Sequence, residues 1–273
     1  MAKSEKQDAI AETPKNTAIE ERPSWIPEGD TTGTDMSAED LRLPRLSIAQ
    51  GLSPELTPGN SNYIENLKMF QLFNNLTQEI YGMGPIKFIP VRHDIRRIEF
   101  KPRSEGGGVI DMDVRPNDPR TQWTTDAEGK RQAPRATKFN EYVVLLVRDG
   151  EDEPEPIVLS IKDTNKENRR AATNLNGYIA LPTKIGSKKY KLPIYGKMYT
   201  VESGTAKNDK GTYGVPVIKQ AGVVHDANLG NRAMAFLKSL EGKNIVVDRE
   251  PGSDDADFDP EALERESQQQ AEM

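Results

Sequence analysis

The chain has 273 residues, no cysteine, a hydrophobic fraction of 35% and a formal net charge of -6. The lack of cysteine excludes a disulfide framework, a thiolate metal site and a cysteine nucleophile. No apolar run approaches the ~18 residues that a transmembrane helix needs, so no membrane role is expected.

The net charge conceals an asymmetry. Residues 1–40 carry 10 acids and 4 bases, residues 248–273 carry 10 acids and 2 bases, and residues 41–247 carry 31 bases and 23 acids. A basic body thus lies between two acidic arms. The arms either keep the protein soluble or compete with nucleic acid for a basic surface and recruit partners.

Residues 1–40 read as a disordered arm, rich in Glu, Thr, Pro, Ser and Asp. Its start, MAKSEKQDAIAETPK, lacks the apolar core of a secretory signal, and an intracellular setting fits. Trp25, between prolines, reads as a tether at the start of the body or as a docking segment. Order is expected from Leu41. The alternation Leu41, Leu43, Leu46 and Ile48, interrupted by Pro44, predicts an edge strand. Residues 63–80 fit either a helix, from Phe70, Phe73, Leu76 and Ile80, or a strand–turn–strand.

Pro85 to Gly108 organises the rest. Ile86, Phe88 and Pro90 alternate with Lys87, Ile89 and Val91, so both faces are apolar and the strand is expected to be buried. Arg92, His93, Arg96, Arg97, Phe100, Lys101 and Arg103 set cations and flat rings into it, and three glycines end it. Gly106–Gly108 have neither a GxGxxG nor a GK[ST] context, so no dinucleotide or P-loop site is read there. Residues 109–140 form a long polar insertion in which Arg115, Arg120, Lys130, Arg131, Arg135 and Lys138 surround Trp123 and Phe139. Cations interleaved with aromatics suit a single-strand groove. A solvated loop with Trp123 tucked against the core fits equally. Asp111, Asp113 and Asp118 oppose phosphate there, or offer a weak frame for a divalent cation.

EYVVLLV (141–147) and PIVLSIK (156–162) read as a buried hairpin. The following helix, 163–179, is expected to start at Asp163 or Thr164 with Glu167 completing a capping box, and to stop near Gly177. Arg169 and Arg170 read as a surface pair. Strands 192–203 and 213–219 form a second hairpin across Asn208–Gly211. Asp226 caps a helix that places Leu229, Ala233, Phe236, Leu237 and Leu240 on one face. Asn244–Asp248 read as a short strand, and 248–273 as a disordered acidic tail.

The leader LPRLSIAQGLSPEL, the basic strand PVRHDIRRIEFKPRSEGGG, the hairpin turn carrying Asn208, Lys210, Gly211 and Tyr213, and the acidic tail together resemble phage-encoded single-stranded DNA-binding proteins of the OB-fold kind. The likeness covers about residues 41–273. It implies a small β-barrel that coats displaced strands in replication or recombination, and a tail that contacts replication or recombination proteins. Phe258 of the tail is followed by PEALERESQQQAEM, which departs from tails that end on an aromatic or apolar residue.

The expected fold is therefore α+β and mainly β. Residues 41–247 should form an OB-like antiparallel barrel of five or six strands with long loops and a C-terminal helix. The expected activity is non-catalytic single-stranded DNA binding in the cytoplasm of an infected bacterial host, with no cofactor or metal and with homo-oligomerisation left open. Phosphate contacts are assigned to Arg92, Arg96, Arg97, Lys101, Arg103, Arg131 and Arg135, and base stacking to Trp123, Phe100 and Tyr213. His93 and His225, the only histidines, have no ligand or catalytic spacing. They read as a surface or phosphate-contacting residue and as a residue before a helix cap. The alternative is a phage structural or assembly protein that binds no nucleic acid, in which the cations pair with nearby acids.

Overall fold

The computed structural model describes residues 42–101, 108–150, 153–208, 211–242 and 246–247. The chain divides into units Met1–Ser37 and Ala38–Met273, and the described residues all belong to the second. The N-terminal arm, Arg103, Lys210 and the tail 248–273 lie outside them.

Nine strands form one sheet: β1 (Arg45–Ile48), β2 (Leu72–Asn74), β3 (Ile80–Gly82), β4 (Ile86–Phe100), β5 (Val109–Asp111), β6 (Ala136–Val147), β7 (Glu155–Lys162), β8 (Lys197–Asn208) and β9 (Gly211–Val223). The helices are α1 (Lys166–Ala180) and α2 (Ala227–Ser239). The strand order is β9-β8-β4-β6-β7-β1-β2-β3, with β5 paired to the far end of β4. The fold is mainly β with two helices, as expected, but it has more strands than the anticipated five or six. Within this sheet one pairing, β1 with β7, is parallel.

The two expected hairpins are present. β6 pairs with β7 from Leu146 opposite Glu155 to Phe139 opposite Lys162. β8 pairs with β9 from Lys197 to Asn208. The unbroken apolar run of β6 follows from its cover. Tyr142, Val144 and Leu146 pack with Ala171, Ala172 and Leu175 of α1. Val143 and Leu145 pack with Ala233 and Leu240 at α2. A strand covered on both faces has no solvent side on which to place polar residues.

Three expectations shift. β1 is internal, between β7 and β2, because Pro44 stands just before the strand, where its missing N–H interrupts nothing. No helix forms over residues 63–80; the strand–turn–strand runs from Leu72 to Gly82, after irregular turns. Phe70 and Gln78 take φ of 68° and 60°, which a helix forbids. The Asn74 side chain caps the turn, accepting from Leu76 N and Thr77 N at 2.9 and 3.0 Å. The α1 cap is Asn165, whose Oδ1 accepts from Asn168 N at 2.7 Å, rather than Asp163 or Thr164. The α2 cap is Asp226, as expected.

The sheet curls until edge strand β9 meets the chain just beyond β1. Gln50 closes this seam as a strand would. Its Nε2 donates to Gly214 O at 3.0 Å, and Gly214 N donates to its Oε1 at 2.7 Å. Gly214 leaves the room for this contact, since a Cβ there would stand 2.6 Å from Ile48 Cγ2 and 3.2 Å from Gln50 Nε2. Across the same seam Tyr213 OH donates to Glu167 of α1 at 3.0 Å.

Gln50→Ala removes both partners of the Gly214 peptide. It is expected to lower unfolding free energy by about 1–3 kcal/mol in urea titrations. Gly214→Ala is expected to be destabilising as well, because its methyl would displace Ile48 and the Gln50 amide. Unchanged midpoints for both variants would remove the seam as a source of stability.

Candidate nucleic-acid interface

The direction of the β4 cations from Arg92 onward is set by a bulge at Pro90. The β4–β6 register slips between Pro90 and Arg92, where Pro90 stands opposite Val144 and Arg92 opposite Val143. A β-bulge of one residue reverses which side chains face which side of the sheet. Beyond it, Arg92, Asp94 and Arg96 lie on the α2 side, and His93, Ile95 and Arg97 on the α1 side.

The α2-side cations are held by the fold. Arg92 Nε contacts Asp94 Oδ2 at 2.8 Å, and its Nη1 donates to Leu240 O at 3.1 Å, securing the end of α2. Arg96 Nε lies 3.0 Å from Oε2 of buried Glu141. Phe100 leans on Phe139, with ring centroids 6.0 Å apart, and Lys162 Nζ stands 5.6 Å from its ring. These residues have architectural work in addition to any ligand contact.

The α1 side differs. His93 stacks on Tyr142 at 4.5 Å with planes 12° apart, and its Nε2 lies 3.3 Å from Asn140 Oδ1. It is a half-buried ring in a stack rather than a free surface residue. Next along the face comes exposed Ile95, opposite Asn140. Then Arg97 stands directly opposite Lys138. Neither side chain has a partner among the described residues. Like charges directly opposed across a sheet are destabilising, so this position is poised to accept an anion. Lys101, exposed at the end of β4, likewise has an unpartnered side chain among the described residues.

The insertion 109–135 is fastened to β4. Arg120 donates to Asp118 through Nε at 2.9 Å and Nη2 at 2.8 Å. Its Nη1 reaches Glu99 at 2.8 Å and Asp111 at 3.1 Å. The Arg120 fork and backbone hold the Asp118 carboxyl down to about 2, and the same contacts raise the Arg120 guanidinium. Asp111 and Asp118 are thus engaged by an arginine, which weakens their opposition to phosphate. Among the described residues no group of three His, Cys, Asp or Glu gathers to hold a metal.

Arg135 Nη2 contacts Glu99 Oε1 at 2.7 Å while most of its side chain stays exposed. Trp123 is half-buried and Arg131 covers its ring, 4.3 Å from the centroid. A base stacking on Trp123 would therefore have to displace or sandwich the Arg131 guanidinium. Tyr213, half-buried with its hydroxyl on Glu167, serves the seam.

Of the cations assigned from sequence, Arg97, Lys101 and Arg131 pair with no acid among the described residues, and Arg92, Arg96 and Arg135 are ion-paired. Lys138, which completes the pair with Arg97, reads from sequence only as one base of the insertion. The alternation Thr137, Lys138, Phe139, Asn140 running into Tyr142 was the available signal that the strand begins before Glu141.

Burial lowers the His93 pKa from its ordinary 6.5, and the Lys138 charge adds to this against the opposing effects of Asn140 and Asp94. The folded state thus favours neutral His93. Its contribution is complete above the unfolded value of about 6.5 and falls as pH drops below it. Urea unfolding at about pH 7.5 and about pH 5.5 should show a loss of stability at the lower pH. His93→Phe, which keeps the ring, should reduce that loss. An undiminished loss would assign the pH dependence elsewhere.

A family model described as Pam3 phage gp34-like protein matches residues 14–246. No curated protein and no solved structure matches the chain. With most of its length matched, the chain belongs to the Pam3 phage gp34-like protein family and is a phage protein.

Proposed function

We propose that this phage protein binds single-stranded DNA stoichiometrically, without turnover, during phage DNA replication or recombination in the cytoplasm of the host. The carrying observation is the Arg97–Lys138 pair. Two opposed cations on one sheet face repel each other until an anion lies between them. A phosphodiester backbone supplies such anions at regular spacing, and its counterions are released on binding. The adjoining half-buried His93 ring, backed by buried Tyr142, and exposed Ile95 supply flat and apolar surface for bases, and Lys101 extends the charge. The curled sheet supports an OB-like reading of the fold. The acidic tail 248–273 is, in this reading, a contact for replication or recombination proteins.

A second reading, an assembly protein that binds no nucleic acid, is favoured by the ion pairs of Arg92, Arg96 and Arg135. Those pairs are what a purely structural β-protein would form.

Fluorescence anisotropy of a labelled oligo-dT, with a duplex control and two salt concentrations, separates the two. Single-strand binding that exceeds duplex binding and weakens steeply with salt is expected. Lys138→Glu sharpens the test. It turns a like-charged pair into an opposite one and should stabilise the fold by about 0.2–1 kcal/mol, while weakening DNA binding. Loss of binding through misfolding would show as lost stability instead. No binding at low salt would sink the proposal and leave the assembly role.

A further inference from the structure

The span Asn168 to Val201 holds seven Lys or Arg and no Asp or Glu, in a chain with 43 acids. Within it, Thr183–Ile185 and Lys188–Tyr190 form a separate two-stranded hairpin that joins neither the nine-strand sheet nor a hydrophobic core cluster. Gly186, at φ 61°, makes the turn that such a short connection requires. Lys184, Ile185, Lys188, Lys189 and Tyr190 are all exposed, as is Lys191 just beyond.

A hairpin this short is at best marginally stable by itself. Its root is therefore informative. Lys197, buried at the start of β8, donates from Nζ to Tyr178 O at 2.5 Å and to Leu181 O at 2.6 Å, tying the end of α1 to the sheet. The hairpin projects from a fixed base and exposes what a fold usually hides. Tyr190 and Ile185 retain 46% and 39% of their accessible surface, and Leu181 at the root retains 61%. Lys184 stands directly opposite Lys189, a like-charged pair that the hairpin's own stability disfavours. By strand alternation, Thr183, Ile185, Lys188 and Tyr190 share one face, which mixes a ring, an aliphatic chain and a cation.

We propose that the Thr183–Tyr190 hairpin is a second contact for single-stranded DNA, in which Lys184, Lys188 and Lys189 meet phosphates and Tyr190 stacks on a base. This rests on the single-strand reading above and adds an element outside the sheet. Charge complementarity selects the ligand class: closely set cations with no acid among them suit a polyanion. The exposed Tyr190 ring, on the same face as Lys188, suits one with flat faces rather than an anionic lipid surface alone.

The test uses the full chain and labelled oligo-dT. The variant Lys184→Ala/Lys188→Ala/Lys189→Ala should weaken binding and make the log–log salt dependence shallower by about 2. Tyr190→Ala should weaken binding about 5- to 150-fold with little change in that slope. Both should melt like the parent, since the altered side chains are exposed. If the parent binds and these variants bind equally well while Lys138→Glu does not, the hairpin inference fails and the sheet-face proposal stands. If the parent does not bind oligo-dT, both fail. Phosphatidylglycerol vesicles serve as control. Vesicle binding lost in the triple variant, with oligo-dT binding intact, would overturn the assignment in favour of a lipid surface.

Discussion

The architecture depends on the curl of one sheet, and the curl is held where Gln50 clasps both polar atoms of the Gly214 peptide. An edge strand exposes unpaired N–H and C=O groups. Here a side-chain amide, which carries the same donor and acceptor, stands in for a neighbouring strand. With the seam closed, α1 is held against β9 through Tyr213 and Glu167. The α1 face then becomes a closed interior over Phe88, Tyr142 and Tyr199, and α2 covers the opposite face over Val143 and Leu145. The parts of β4 that extend past both helices are the ones left to carry charge.

Charge is divided largely by cation type. Arginines take the structural ion pairs: Arg92 with Asp94, Arg96 with Glu141, Arg120 with Glu99 and Asp118, Arg169 with Asp163. A planar fork with several fixed donors satisfies a buried or half-buried carboxylate well. Lysines hold much of the open surface, at Lys101 and the hairpin cations from Lys184 to Lys191, and half-buried Lys138 stands free of acids among the described residues. A hydrated ammonium on a flexible stem loses little there and can follow an irregular backbone. The basic excess of residues 41–247 therefore overstates the cation available to a ligand, because much of the arginine is consumed within the fold. The two patches left open, at Arg97–Lys138 and at the hairpin, share one feature. Each sets like charges directly across a strand pair, which is unfavourable for folding and favourable for holding a polyanion. For a phage protein proposed to coat single strands, two such patches on different elements would let one chain grip more than one stretch of backbone.

Much of the architecture was legible in the residues. The apolar run of β6 and its return strand, the β8–β9 hairpin and the Asp226-capped helix follow from local pattern, because burial on both faces, turn chemistry and a cap are nearest-neighbour properties. So was the location of Arg97, Lys101, Trp123 and Arg131 in a basic, aromatic region. What chain order could not convey was direction and pairing. Pro90 marks a place where a central strand must bulge, yet only the β6 register shows that the slip turns Arg92 and Arg96 toward α2 and Arg97 toward α1. The partners Glu141, Glu99 and Leu240 lie far along the chain from the arginines they engage, and an ion pair depends on distance in space. The like-charged pairs Arg97–Lys138 and Lys184–Lys189 arise from strand register in the same way. Composition thus determined that the body is basic, and local patterning that it is mainly β. Tertiary register decided which of its cations are consumed by the fold and which are left to meet a ligand.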